Sequence, residues 1–251
     1  MSAPPVFVAT HIGKRFGHHR VLREIDFSIE PGEYVLLLGN NGAGKTTLLR
    51  ILTSLMRPSE GEMRFRGSPY RAVGTELRGA IGVIAHDSQL YGDLTARENL
   101  HLFGSLYGVA DVTAKIAPAL ERVRLDHVPG IPVRNFSSGM LKRLAIARLL
   151  LYRPAALLLD EPYSGLDQVS LELLDGYLEE FKRDGGTMVL TTHQFTQGVR
   201  HADRILILHQ GRLVYNRPET GITAARCAEL LHRYASGRPS ADKPSRATDR
   251  E

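Results

Sequence analysis

The chain has 251 residues, of which 43% are hydrophobic and 24% charged, enough to bury one substantial core. No apolar run approaches the roughly 20 residues needed to cross a bilayer, so any work at a membrane needs another chain to do the crossing. The single cysteine, Cys227, excludes an internal disulfide and offers no metal-ligand spacing.

The net charge is +5, but the basic residues are scattered, with Lys14, Arg15, Arg20 and Arg23 the densest group. No aromatic-interleaved stripe accompanies them. A solvated basic surface is therefore favoured over a nucleic-acid face. The first five residues have neither a basic patch nor an apolar stretch, so no secretory signal is read and a cytoplasmic location is expected.

In chain order, segments 6–10, 25–29 and 62–66 alternate between apolar and polar residues. Turns at Glu30-Pro31-Gly32 and Glu60-Gly61 punctuate them, which predicts a small antiparallel β lobe. Tyr34–Leu38 reads as a buried strand before Gly39, followed by a helix over 46–53. Helical periodicity predicts helices over 96–107, 113–123 and 138–151, an α-helical insertion at about 87–150. Buried strands follow at 156–159 and 188–190, and a helix at 223–234. The polar stretch 236–251 lacks the apolar surface to order itself. The expected layout is one α/β domain over 1–235 with a disordered tail over 236–251.

Gly39-Asn40-Asn41-Gly42-Ala43-Gly44-Lys45-Thr46 has the spacing of a phosphate-binding loop, placed between a strand and a helix. Its glycines let backbone N–H groups turn toward phosphate oxygens. Lys45 neutralises them, Thr46 ligates Mg²⁺, and Thr47 completes the nucleotide-binding set. An accidental Gly-rich turn is the other reading, and the strand and helix context weighs against it.

The strand over 156–159 delivers Asp160 and Glu161 at its tip. Asp160 suits Mg²⁺ held through water, and Glu161 suits the water that attacks a terminal phosphate. An acidic strand-to-turn junction is the alternative. His193, after the strand over 188–190, is placed to hold that water in line, although a lone histidine is usually structural.

The order of these motifs resembles the ATP-binding cassette (ABC) family over most of the chain. The resemblance implies a P-loop NTPase (RecA-like) core with an N-terminal antiparallel β subdomain and an inserted α-helical subdomain. ATP and Mg²⁺ are the implied cofactors. Phe16 matches the family's adenine-stacking aromatic, with a half-buried Phe on the β lobe as the alternative. Ser137-Ser138-Gly139-Met140 matches the signature that contacts ATP on the opposite subunit, and a plain serine N-cap is compatible with that role. Asp167, in Ser164-Gly165-Leu166-Asp167, matches the loop that crosses the dimer interface.

The resemblance further implies an ATP-hydrolysing subunit that pairs with a second cassette and with transmembrane permease subunits, peripheral on the cytoplasmic face of a membrane. Two positions depart from the pattern. His86 stands where the family keeps a Gln that touches the metal and couples to the membrane partner, and Ser138 and Met140 replace the usual Gly and Gln. The segment 91–100, His86 and Leu190-Thr191-Thr192-His193-Gln194 look similar to short exporter ATPases, among them the heme exporter of cytochrome c maturation. Export of another substrate, or a soluble ABC ATPase acting on nucleic acid or ribosomes, are the alternatives.

Overall fold

A computed structural model describes residues 3–74, 76–85, 89–200, 202–219 and 221–235. The chain divides into two compact units, one running up to Val73 and again from Val189 onward, the other covering Gly74–Met188.

The first unit opens with β1 (Phe7–Phe16), β2 (His19–Ile29) and β3 (Tyr34–Leu38), then α1 (Lys45–Leu52), β4 (Glu60–Phe65), β5 (Ser68–Pro69) and α2 (Tyr70–Val73). The antiparallel sheet has the order β2-β1-β4-β5. β1 and β2 extend well beyond the predicted 6–10 and 25–29. Register shifts between Ala9 and Ile12, and again before Lys14, explain the shortfall. His11 and Glu24 have φ of 50° and 49°, and the His11 N–H donates to the Asp26 carboxylate at 2.7 Å. Each bulge breaks the two-residue alternation, so the sequence signal stops where the pairing continues.

All five residues of β3 are buried. Its start is fastened by Tyr34 N–H donating to the Asp203 carboxylate at 2.8 Å, and by an Arg204–Glu33 ion pair at 2.8 Å. Burial pushes the Glu33 carboxyl above its ordinary value, against the pull of Arg204 and of a hydrogen bond from the Glu30 backbone. The strand that leads into the phosphate loop is thus set from its polar end.

The second unit contains α3 (Glu76–Ala80), β6 (Ile81–Ile84), α4 (Ala96–Leu106), α5 (Val112–Arg122), a 3₁₀ turn at Val133–Asn135, α6 (Ser138–Tyr152), β7 (Ala156–Asp160) and α7 (Gln168–Arg183). β6 runs parallel to β7, and α4 and α5 pack on α6. α6 is apolar around much of its circumference, burying Leu144, Ile146, Leu149 and Leu151, as expected of a helix enclosed by neighbours. Its one deeply buried charge, Arg148, donates to the Val83 carbonyl at 3.0 Å and lies 4.7 Å from the Phe103 ring centroid. A capping box of Thr95 and Glu98 starts α4, and the buried Asn99 bonds Tyr91 in both directions at 2.8 and 2.9 Å.

β8 (Thr187–Thr191) carries the division between units, and α8 (Phe195–Gly198), β9 (Arg204–His209), β10 (Arg212–Pro218) and α9 (Ala224–Ala235) follow. β9 runs parallel to β3 and antiparallel to β10. This hairpin is absent from the sequence reading. The predicted helices 96–107, 113–123, 138–151 and 223–234 all form, with ends displaced by at most one residue. Among the described residues no helix is long and apolar enough to cross a membrane.

Candidate functional site

β3 ends at Leu38 and the chain turns through Gly39, Gly42 and Gly44, whose φ values are 155°, 79° and 109°. A Cβ on Gly39 would lie 2.5 Å from the Leu208 carbonyl oxygen, and one on Gly44 would lie 2.7 Å from Leu22 Cδ2. Backbone of β9 and a side chain of β2 therefore press on the loop from behind, and only glycine satisfies both the space and the dihedral. Gly211 of the hairpin donates its N–H to the Ala43 carbonyl at 3.1 Å, and Ala43 N–H donates to Asn40 at 3.0 Å. Asn40 and Asn41 are exposed. The β9–β10 hairpin is thus part of what shapes the loop.

α1 begins at Lys45, and Gly44 at its cap supplies no side-chain hydrogen bond to the first turn, which also lacks an acidic residue. Those N–H groups and the positive end of the helix dipole suit an anion. Lys45 is only 8% exposed, and its ammonium donates to the Gly39 carbonyl at 2.7 Å and to that of Asn40 at 3.4 Å, inside the loop. Thr46 is exposed and Thr47 half-buried. An uncapped helix start, three glycines at positive φ and an ammonium folded into their loop fit a polyphosphate.

Phe16 ends β1 and is 48% exposed. The Lys14 ammonium, donating to the Arg57 carbonyl at 2.8 Å, lies 5.2 Å from its ring centroid. His193 follows β8 and is exposed, with Gln194 N–H donating to Thr192 Oγ1 at 2.9 Å just beyond it. Phosphate loop, Phe16 and His193 all belong to the first unit.

The second unit carries the acidic pair and the signature. Asp160 is the last residue of β7, and Glu161 leaves the strand at φ 50°. A left-handed backbone costs a non-glycine residue about 1–3 kcal/mol and needs holding in place. Ser164 N–H donates to the Glu161 carbonyl at 3.2 Å. Lys142, from α6, donates to the same carbonyl at 3.2 Å and to that of Pro162 at 2.7 Å. Burial draws the Lys142 amine below its ordinary value, and the charge of Glu161 opposes this. Nothing in the sequence singles out Lys142, because a lysine one turn into a helix reads as a solvent-facing charge.

Ser137 caps α6 in extended conformation, accepting the Met140 N–H at 3.2 Å. Ser138 Oγ donates to the Gly165 carbonyl at 3.3 Å. Gly139 is buried, and a Cβ there would lie 2.9 Å from Asp167 Oδ2 and 3.0 Å from Ser170 Oγ. Asp167 in turn caps α7, accepting the Ser170 N–H at 2.7 Å. The Ser170 hydroxyl is shared between the Asp167 carboxylate and the Gly139 carbonyl, 3.4 Å away. Hydrogen bonds from the Ser170 side chain and backbone hold the Asp167 carboxyl below its ordinary value. The start of α6 and the loop that ends at Asp167 are therefore one hydrogen-bonded piece, with Ser170, which nothing in the sequence singles out, at its centre.

His86 lies outside the described residues. Among those described there is no group of three or more His, Cys, Asp or Glu side chains placed to hold a metal ion by themselves. Thr46 brings a hydroxyl and Asp160 a carboxylate, each a hard oxygen donor of the kind Mg²⁺ takes.

Residues 22–164 match the family model described as "ABC transporter". The chain is 38% identical over 192 residues to the cytochrome c biogenesis ATP-binding export protein CcmA 2 of Cupriavidus metallidurans, covering 76% of this chain and 91% of that one. It is 35% identical over 216 residues to the Nod factor export ATP-binding protein I of Burkholderia orbicola, covering 85% and 71%. Its fold matches the ATP-binding cassette MJ0796, solved as a dimer in a post-hydrolysis state with ADP and Pi, at a TM-score of 0.77 and 26% identity over 86% of this chain and all of that one. The chain belongs to the ABC transporter family. It is an ATP-binding subunit with the P-loop NTPase fold, and it is an ATPase.

Proposed function

We propose that this subunit pairs head to tail with a second cassette around two MgATP and drives export through membrane-spanning partners, on whose cytoplasmic face it sits. The observation that carries the reading is the Ser170 link between Gly139 and Asp167, which makes the signature and the interface loop a single docking piece. The likeness to a cassette solved as a dimer supports it.

In this reading the loop N–H groups and the start of α1 receive the polyphosphate, and Lys45 neutralises its outer oxygens. Phe16 stacks on adenine, an interaction of about 1–3 kcal/mol. Thr46 directly and Asp160 through water would hold Mg²⁺, which would spread the charge of the phosphate oxygens. Glu161 accepts a proton from the attacking water while the water oxygen bonds to phosphorus and the bond to ADP breaks. His193 donates to the terminal phosphate and keeps that water in line. Ser137, Ser138 and the Gly139 and Met140 backbone cap the nucleotide held by the opposite cassette. His86 takes the place of the usual Gln between the metal and the membrane partner.

Replacing Glu161 by Gln keeps the shape and removes the base. ATP binding is retained, turnover drops by about 10²–10⁴-fold, and an ATP-bound dimer accumulates on size-exclusion chromatography. Normal turnover by Glu161→Gln rejects the assignment. Heme is the cargo proposed first, supported by the similarity to a cytochrome c biogenesis export protein. The Nod factor export relative supports a second reading, export of a different substrate. Purifying the intact membrane complex and identifying what it carries separates the two.

A further inference from the structure

We propose that Lys142 is a positioning residue for hydrolysis: from the signature helix it holds the turn after β7 in the conformation that aims Glu161, so that signature and base of one subunit move together. The inference rests on the reading of Glu161 as the base.

Three observations carry it. Glu161 sits at φ 50°, a backbone state that a glutamate leaves readily unless its surroundings fix it. The Lys142 ammonium fixes it with two hydrogen bonds, to the carbonyls of Glu161 at 3.2 Å and Pro162 at 2.7 Å. The far end of the same turn is held from the same helix, because Ser138 Oγ donates to the Gly165 carbonyl at 3.3 Å. Ser138 and Lys142 are four residues apart on α6, on one face and about 6 Å along the axis. One face of the signature helix thus grips both ends of the 161–165 turn.

The consequence concerns how the two nucleotide sites of a dimer communicate. The signature of one subunit addresses the nucleotide held by the other, whereas Glu161 serves the nucleotide held by its own. A displacement of the start of α6 on nucleotide engagement is passed through Lys142 and Ser138 to the turn that orients Glu161. Loss of the ammonium leaves the signature cap on Ser137 intact and frees only the Glu161 end of the turn. Turnover, not nucleotide binding, is the property that suffers.

The experiment compares Lys142→Met, Lys142→Gln and Lys142→Arg in the full chain, with Glu161→Gln run alongside. The methionine variant is expected to lower kcat about 10–100-fold, the range of a displaced catalytic group, with KM for ATP within about twofold of the parent. It is also expected to accumulate an ATP-bound dimer on size-exclusion chromatography, as Glu161→Gln does. Lys142→Gln, whose amide keeps donors for the turn and serves if the methionine variant does not fold, is expected to fall between. Lys142→Arg is expected to recover kcat to within about threefold. Parental kcat in Lys142→Met and Lys142→Gln overturns the proposal. So does loss of the ATP-bound dimer, which would place the residue in signature support. If Glu161→Gln traps the dimer while the Lys142 variants turn over normally, only the positioning role fails. If Glu161→Gln hydrolyses ATP normally, the reading of the base fails first.

Discussion

A Cβ built on Gly139 would stand 2.9 Å from Asp167 Oδ2, closer than such contacts occur, so the start of α6 and the residue that caps α7 meet at a point where a side chain displaces its neighbour. Asp167 is held there, because it caps α7 and shares Ser170 with Gly139. Gly139→Ala is expected to push Asp167 off its cap, at a stability cost of about 1–3 kcal/mol. ATP turnover is expected to fall at least about tenfold through misplacement of the interface loop. Urea denaturation and steady-state ATPase measurements check both. A variant with parental stability and turnover would mean that the loop tolerates the displacement.

Asp167 gives the fold an acid dependence whose sign is set by its hydrogen bonds. Ser170 stabilises the carboxylate, so the folded-state value lies below the ordinary 3.8. A depressed folded value means that the stabilisation is present at neutral pH and is lost as the pH falls from about 3.8 through the folded value. Asp167→Asn retains a capping oxygen but no charge. The stability difference between parent and variant is expected to be constant above about pH 5 and to shrink on acidification below the ordinary aspartate value. Denaturant titrations at several pH values read it directly. A difference that stays flat to about pH 3 rules the linkage out.

The phosphate loop and the acidic pair were legible in the sequence because their chemistry is written in contiguous residues. Gly39 to Thr46 form one turn, and Asp160 and Glu161 end one strand. α4 and α5 were legible because apolar periodicity over eleven residues survives local irregularity, and α6, apolar around much of its circumference, through its fifteen-residue length. The features that escaped the reading depend on partners distant in sequence. Lys142 meets Glu161 across nineteen residues, and Ser170 meets Gly139 across thirty-one. The β9–β10 hairpin reaches the phosphate loop from Gly211 to Ala43, and only the fold brings that pair together. The β lobe was half legible, since bulges at His11 and Glu24 shift the inward face midway along each strand.

Those bulges create the sharpest test of the β lobe. Gly61, at φ 83°, passes so close to the bulge that a Cβ would lie 2.3 Å from the Thr10 carbonyl oxygen and 2.4 Å from that of His11. Both obstacles are backbone, so neither can swing aside as a flexible side chain would. Gly61→Ala is expected to cost roughly 3 kcal/mol or more, combining a disfavoured dihedral with displacement of β4 from β1. Gly17, at φ 56° in the turn between β1 and β2, is the control, because a Cβ there has nothing within 4 Å. Gly17→Ala is expected to cost only about 1–2 kcal/mol, from the left-handed backbone alone. Thermal denaturation of the two variants side by side measures the difference. Equal losses would show that the close approach of β4 to the bulge contributes nothing beyond the dihedral.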